Sequence, residues 1–194
     1  MPRDFFHAHN LGGDYLALSE TVRLGTPTAV FGVAEPHRAL IAASCLPGRI
    51  VYVTDNAQSA ARMAAEIAGF AGEEPALLCA KDEVLLYKDA LSKDALFRRM
   101  TALARMQAGV RIAVCDIESL MQLFPRRVPV LELKEGEEVD FASLPARLVR
   151  MGYVRTASVD AKGNFALRGD ILDIFPVNED DPVRVDFFGD TVEK

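Results

Sequence analysis

Two rhythms of apolar and polar residues divide the chain. Up to about residue 125, short apolar runs alternate with segments whose apolar residues recur every three or four positions. Residues 28–33 (TAVFGV) predict a strand of small and β-branched residues. It runs into a helix that starts at Pro36, a favourable first-turn residue, and reaches about Cys45 before Pro47-Gly48 breaks it. Residues 50–54 (IVYVT) are almost continuously apolar, the pattern of a strand buried on both faces. Asp55 or Asn56 suits the cap of a following helix, along which Ala60, Met63, Ala64, Ile67 and Ala68 share one side. Residues 75–80 predict a further strand. Residues 92–107 predict a helix capped by Ser92, with Leu96, Met100, Leu103 and Met106 on its apolar face, and residues 110–115 the next strand. Asp116 can cap a short helix through Leu123. Alternating apolar strands and helices of this kind predict an open, mostly parallel α/β sheet.

After Pro129 the period changes. Residues 130–133 read as extended, Gly136 sits in an acidic turn, and a helix opened by Ser143 or Pro145 carries Leu144, Leu148 and Met151. Beyond Gly152-Tyr153 come three strand-like pieces: residues 156–160, residues 164–176 with a turn at Gly169, and residues 183–188. Short strands, polar turns and one helix predict a small α+β domain. We therefore expect two domains, residues 1–127 and 128–194. In the last piece, alternation puts Val183, Val185 and Phe187 on a core face and Arg184, Asp186 and Phe188 on the other. Arg168 likewise points away from Phe165 and Leu167. Residues 191–194 look like the opening of a further strand, so we expect the chain to be a piece of a longer protein.

Charge sharpens the division. Residues 128–194 carry 8 Lys/Arg against 14 Asp/Glu, and the preceding residues carry 14 of each. The second part is thus a poor electrostatic match for DNA, and a complementary protein surface suits it better. Half of the 194 residues are hydrophobic, enough for a substantial core. Cys45, Cys79 and Cys115 lie far apart in apolar stretches, which predicts free thiols in a reducing compartment. His7, His9 and His37 form no ligand spacing with them, so no metal site is expected. There is no signal-peptide pattern and no charge-free run of membrane-spanning length, so soluble cytoplasm is the expected setting.

The stretch Gly32-Val33-Ala34-Glu35-Pro36-His37-Arg38-Ala39 falls where a phosphate-binding loop would follow the first strand. Such a loop needs glycines that expose amides, a lysine for the β/γ oxygens and a Ser/Thr hydroxyl for Mg²⁺. Gly32 fits, but Glu35 and Pro36 occupy glycine positions, Arg38 replaces lysine and Ala39 the hydroxyl residue. A carboxylate would face phosphate and one amide donor is missing, so the loop is read as non-functional.

Three segments carry a family resemblance. They are Gly152-Tyr153-Val154-Arg155, then Gly163-Asn164-Phe165-Ala166-Leu167-Arg168-Gly169-Asp170-Ile171-Leu172-Asp173-Ile174-Phe175-Pro176, then Val183-Arg184-Val185-Asp186-Phe187-Phe188-Gly189-Asp190. In that order they resemble the small domain shared by the UvrB proteins of nucleotide excision repair and the Mfd transcription-repair coupling factors. Residues 28–124 resemble, more weakly, the first α/β domain of the same module. The ruined loop, and the short region 82–97 with Tyr87 and Phe97 as its only aromatic rings, resemble Mfd more than UvrB, whose loop is intact and whose hairpin is long and aromatic. The fold the resemblance implies is α/β: a degenerate P-loop NTPase-like, helicase-like parallel-sheet domain followed by a small α+β UvrA-interaction domain.

The implied role is non-catalytic recruitment of UvrA. The motor that uses ATP and Mg²⁺, and the parts that meet RNA polymerase and DNA, belong to other domains of such proteins, as does a C-terminal domain that masks the UvrA surface; no membrane is involved. Carried over by motif, the UvrA-contacting residues are Arg168, Arg184 and Phe188, with Arg155 bracing or extending the patch. The residues themselves leave other readings open. Arg184 can pair with Asp186 or Asp173 on a solvated face, and Phe188 can pack under the turn. The alternative function is a UvrB-type damaged-DNA-binding helicase fragment, which would want the intact loop and the aromatic hairpin.

Overall fold

The computed structural model describes residues 12–81 and 93–194; Ser92, Tyr87, His7 and His9 lie outside the described residues. The chain divides into two compact units, Met1–Val128 and Pro129–Lys194. The described elements of the first are α1 (Gly13–Arg23), α2 (Glu35–Ser44), β1 (Ile50–Thr54), α3 (Ala57–Ala71), β2 (Ala76–Leu78), α4 (Lys93–Ala108), β3 (Ile112–Asp116) and α5 (Ile117–Met121). The three strands form a parallel sheet in the order β1-β3-β2, with Ile50 opposite Ile112 and Ala76 opposite Ala113. Parallel neighbours need crossover connections, and α3 and α4 fill that role. β3 is central and buried along its whole length. One side of it, Ile112 and Val114, packs with Ala39 and Ala42 of α2 and Ala60, Met63 and Ile67 of α3. The other side, Ala113 and Cys115, packs with Ala102 and Leu103 of α4 and with Val128. Helix α3 opens where the Asn56 side chain accepts a 2.8 Å hydrogen bond from Ser59 N, and closes at Gly72, whose φ of 67° is left-handed.

Three expectations fail in this unit. Residues 28–33 are not a strand; no ladder among the described residues includes them, and residues 23–32 are exposed. Their composition favours extended backbone, but a strand exists only through a partner. Strand β1 is not covered on both faces. Among the described residues it is an edge strand, and α4 packs over β2 and β3 without reaching Val51 and Val53, which remain 54% and 42% exposed. Third, α4 keeps only part of its expected apolar face: Met100, Leu103 and Met106 pack on the core, but Leu96 is exposed and Arg99 is completely buried. Arg99 Nη1 donates to Cys79 O at 2.8 Å and to Ser119 O at 3.4 Å, and its guanidinium lies 5.0 Å from the Phe124 ring.

The second unit has a single 3₁₀ turn (Phe141–Ser143), then α6 (Leu144–Arg150), β4 (Val154–Arg155), β5 (Asn164–Arg168), β6 (Ile171–Ile174), β7 (Val183–Phe188) and β8 (Thr191–Val192). The strands form a sheet in chain order, antiparallel except for the parallel pair β4/β5. This is the α+β architecture expected for this part. Asp140 accepts from Ser143 N at 3.3 Å, and Pro145 sits in the first turn of α6. Leu144 and Leu148 press onto Phe165, Leu172, Ile174, Val185, Phe187 and Val192, with the Phe141 and Phe187 rings 4.7 Å apart. Residues 136–139 run along β8: Gly136 N donates to Val192 O, Val192 N to Glu137 O and Val139 N to Asp190 O. That outer strand is therefore sheltered. Residues 156–160 do not form the expected strand. The Thr156 hydroxyl donates to Ser158 O at 2.7 Å, a local turn that competes with the ladder, and β4 lies just before it.

No helix among the described residues is long and apolar enough to cross a membrane.

Candidate functional site

Pairing registers decide which residues share the face of the second sheet opposite its core, where Ala166 is buried and Arg168, Arg184 and Phe188 are exposed. In the ladders, Ala166 faces Asp173 and Asp173 faces Arg184; Arg168 faces Ile171 and Ile171 faces Asp186. Phe188 follows on β7, opposite Thr191. Since directly paired residues project to the same side, these make two short rows ending at an aromatic ring. The intervening residues Leu172, Val185 and Phe187 belong to the core. Arg168, Arg184 and Phe188 thus lie on one face. Phe188 is 76% exposed, so it does not pack under the turn.

Of the two partners open to Arg184, the structure places it on Asp173. Nε donates to Oδ1 at 2.7 Å and Nη2 to Oδ2 at 3.1 Å, the fork-on-carboxylate geometry that fixes a guanidinium in plane. The pair is lopsided: the Asp173 side chain is 18% exposed and that of Arg184 61%. The anion sits in the sheet and the cation reaches out. The hydrogen bonds from Arg184, with the fields of Arg184 and Arg168, hold the Asp173 carboxyl below its ordinary value against the opposing effect of its burial. The same contacts raise Arg184. Arg168 is drawn across the sheet, its Nη2 donating to Ala157 O at 2.7 Å. Asp186 completes the face, with one buried carboxylate oxygen that has no hydrogen-bond partner among the described residues.

Arg155 is placed differently. Its ladder partner is Phe165, a core residue, so it belongs to the opposite row at the far edge of the sheet and does not extend the patch of Arg168, Arg184 and Phe188. Tyr153 is half-buried against the core, and its hydroxyl accepts from Val177 N at 3.3 Å. Sequence reading did not foresee Ile171 on the face or the inward seat of Asp173. Both follow from cross-strand register, which alternation along single strands does not encode.

In the first unit, Gly32 has a φ of 71°, Glu35 and Pro36 begin α2, and Ala39 is buried. Because residues 28–33 are not a strand, the strand–loop–helix setting of a phosphate loop is not formed. Glu35 is engaged by Arg62 at 2.8 Å, and the exposed Arg38 turns its Nε back to Val33 O at 3.3 Å. The helix N-terminus already has a carboxylate beside it, the charge that its dipole favours. A cleft of about 440 Å³ opens beside Arg38, walled mainly by Val30, Phe31, Ile41 and Tyr52. Cys45, Cys79 and Cys115 are free, and burial raises all three thiols, which makes them poor nucleophiles.

Comparison with known proteins adds a second line of observation. Residues 131–194 match the UvrB interaction domain family. The chain is 31% identical over 218 residues to a transcription-repair-coupling factor of Myxococcus xanthus, covering 99% of this chain and 18% of that protein. It is 33% identical over 181 residues to the one of Mycobacterium bovis, covering 87% and 15%. A 63-residue stretch is 41% identical to UvrABC system protein B of Thermotoga petrophila, covering 32% of this chain and 10% of that protein. The chain spans less than a fifth of the length of these curated relatives.

Proposed function

This chain is a module of the family that includes the transcription-repair-coupling factors and UvrABC system protein B, and from that premise we propose that it docks UvrA, without catalysis of its own, to bring excision repair to a stalled RNA polymerase. The observation that carries this reading is the face of the UvrB interaction domain opposite its core, where an oriented Arg184 and an exposed Phe188 stand on each side of Asp186. Arginine and aromatic side chains are the residue types that most often supply the large terms at protein interfaces. Here they are mounted on an interior strand of a sheet with a packed reverse side, so little ordering accompanies docking. The first unit serves as scaffold in this reading. Its altered loop is engaged by Arg62 and by its own backbone, and the degenerate nucleotide-binding character assigned to it rests on sequence likeness. Arg155 stands outside the docking face.

Calorimetric titration of UvrA with the chain tests the proposal. Arg184→Ala and Phe188→Ala are each expected to weaken docking by about 2 kcal/mol, roughly thirtyfold, and the double variant to abolish it while retaining the wild-type circular dichroism spectrum. A folded double variant that binds as tightly as the wild type would refute it.

A further inference from the structure

We propose that Asp173 is the positioning residue of the docking face: it holds the Arg184 guanidinium in the orientation a partner reads, without itself being the contact. This rests on the docking role given above to that face and goes beyond it by naming what sets the geometry.

Three observations lead there. Asp173 and Arg184 are directly paired across β6 and β7, so both side chains leave the sheet on the same side from adjacent backbone positions. Two hydrogen bonds join them, and they use Nε and one Nη2 proton. That leaves the Nη1 end of the fork pointing away from its anchor, on the more exposed member of the pair. An unanchored arginine would sample many rotamers, and docking would have to freeze them; the carboxylate has already done so. The anchor also changes the cost of drying the site. A lone guanidinium would have to recover all of its lost hydration from the partner, whereas this one keeps a carboxylate through the event.

The arrangement specifies the partner's chemistry. Arg168, Arg184, Asp173 and Asp186 together carry no net charge, so the face does not call for a strongly acidic surface. What fits is an acceptor, a carboxylate or backbone carbonyl, opposite Nη1 of Arg184, next to an apolar recess for Phe188.

A double-mutant cycle on the whole chain, read as UvrA affinity, tests this. Asp173→Asn removes one charge and breaks the fork while keeping the side chain's shape. It is expected to weaken docking about five- to tenfold, the effect of freeing one long side chain. In an Arg184→Ala background the same change should alter affinity less than about twofold, since nothing remains for Asp173 to position. Asp173→Glu, which restores the carboxylate, should recover most of the loss, and thermal midpoints verify that every variant is folded. If Asp173→Asn docks like the wild type while Arg184→Ala is weakened, the positioning role is wrong and the docking face stands. An equal loss in both backgrounds makes Asp173 an independent contact and likewise overturns the inference. If Arg184→Ala and Phe188→Ala both dock normally, the face is not the site and both statements fall.

Discussion

At the scale of single residues, the Asp173–Arg184 pair is the best-defined polar interaction in the second unit. An exposed ion pair ordinarily adds little to stability, but two parallel bonds on a sheet-seated carboxylate are the geometry in which it adds most. The folded-state pKa of Asp173 lies below its unfolded value of about 3.9. The pair therefore contributes fully above about pH 4 and its contribution is lost as pH falls through the lower, folded value. Thermal midpoints recorded between about pH 2 and pH 6 should fall less steeply on the acid side for Asp173→Asn than for the wild type. Identical acid limbs would show that the pair is not felt by the fold. That Arg184 and Phe188 point outward was legible from the alternation in residues 183–188. Which carboxylate Arg184 would choose was not, because Asp173 and Asp186 are equally available in the sequence and only register brings one of them opposite. Arg99 misled in another way. A charged residue is read as solvent-facing, yet this one is buried, meeting two carbonyls and an aromatic ring at the sheet's end, and burial lowers its pKa.

At the scale of elements, those with a local signal formed where expected. Helix α3 has a cap and an apolar side at helical spacing, and both signals survive in the fold. Residues 28–33 and 156–160 had only composition in their favour. The first found no ladder partner among the described residues and the second turned on a hydroxyl, which is why strands are harder to read than helices: their hydrogen bonds lie elsewhere in the chain. The two helix caps differ in surroundings. Asn56 is exposed and bonds Ser59 N at 2.8 Å, while Asp116 is buried and bonds Ser119 N at 2.6 Å. Asn56→Ala should cost about 1 kcal/mol and Asp116→Ala about 2 kcal/mol, because the second leaves a buried donor without its acceptor. Urea denaturation gives both values, and equal costs would contradict the argument from burial.

At the scale of the whole molecule, each unit has its own core, and the negative charge is concentrated in one of them. Residues 128–194 hold 8 Lys/Arg and 14 Asp/Glu, while the preceding stretch is balanced at 14 of each. Neutralising phosphates is what drives most duplex binding, and this chain has no excess of cations to do it. Gel-shift titrations with undamaged duplex should show no complex near physiological salt; a salt-sensitive complex would mean that the cations of the first unit gather into a patch. The α/β then α+β division was visible in the change of hydrophobic period near Pro129, and the charge split marks the same region.

The residues proposed for docking and the core residues of β7 are the same strand read on alternate sides, Arg184 and Phe188 outward, Val185 and Phe187 inward. Neither set can be assembled without the other. A partner that grips this face therefore counts only native copies: a molecule whose second core has melted shows no aligned arginine and ring, and drops out of the titration as though it were absent. On the proposed role, docking doubles as an inspection of the fold, and the measured stoichiometry becomes an assay of how many molecules in a sample are intact.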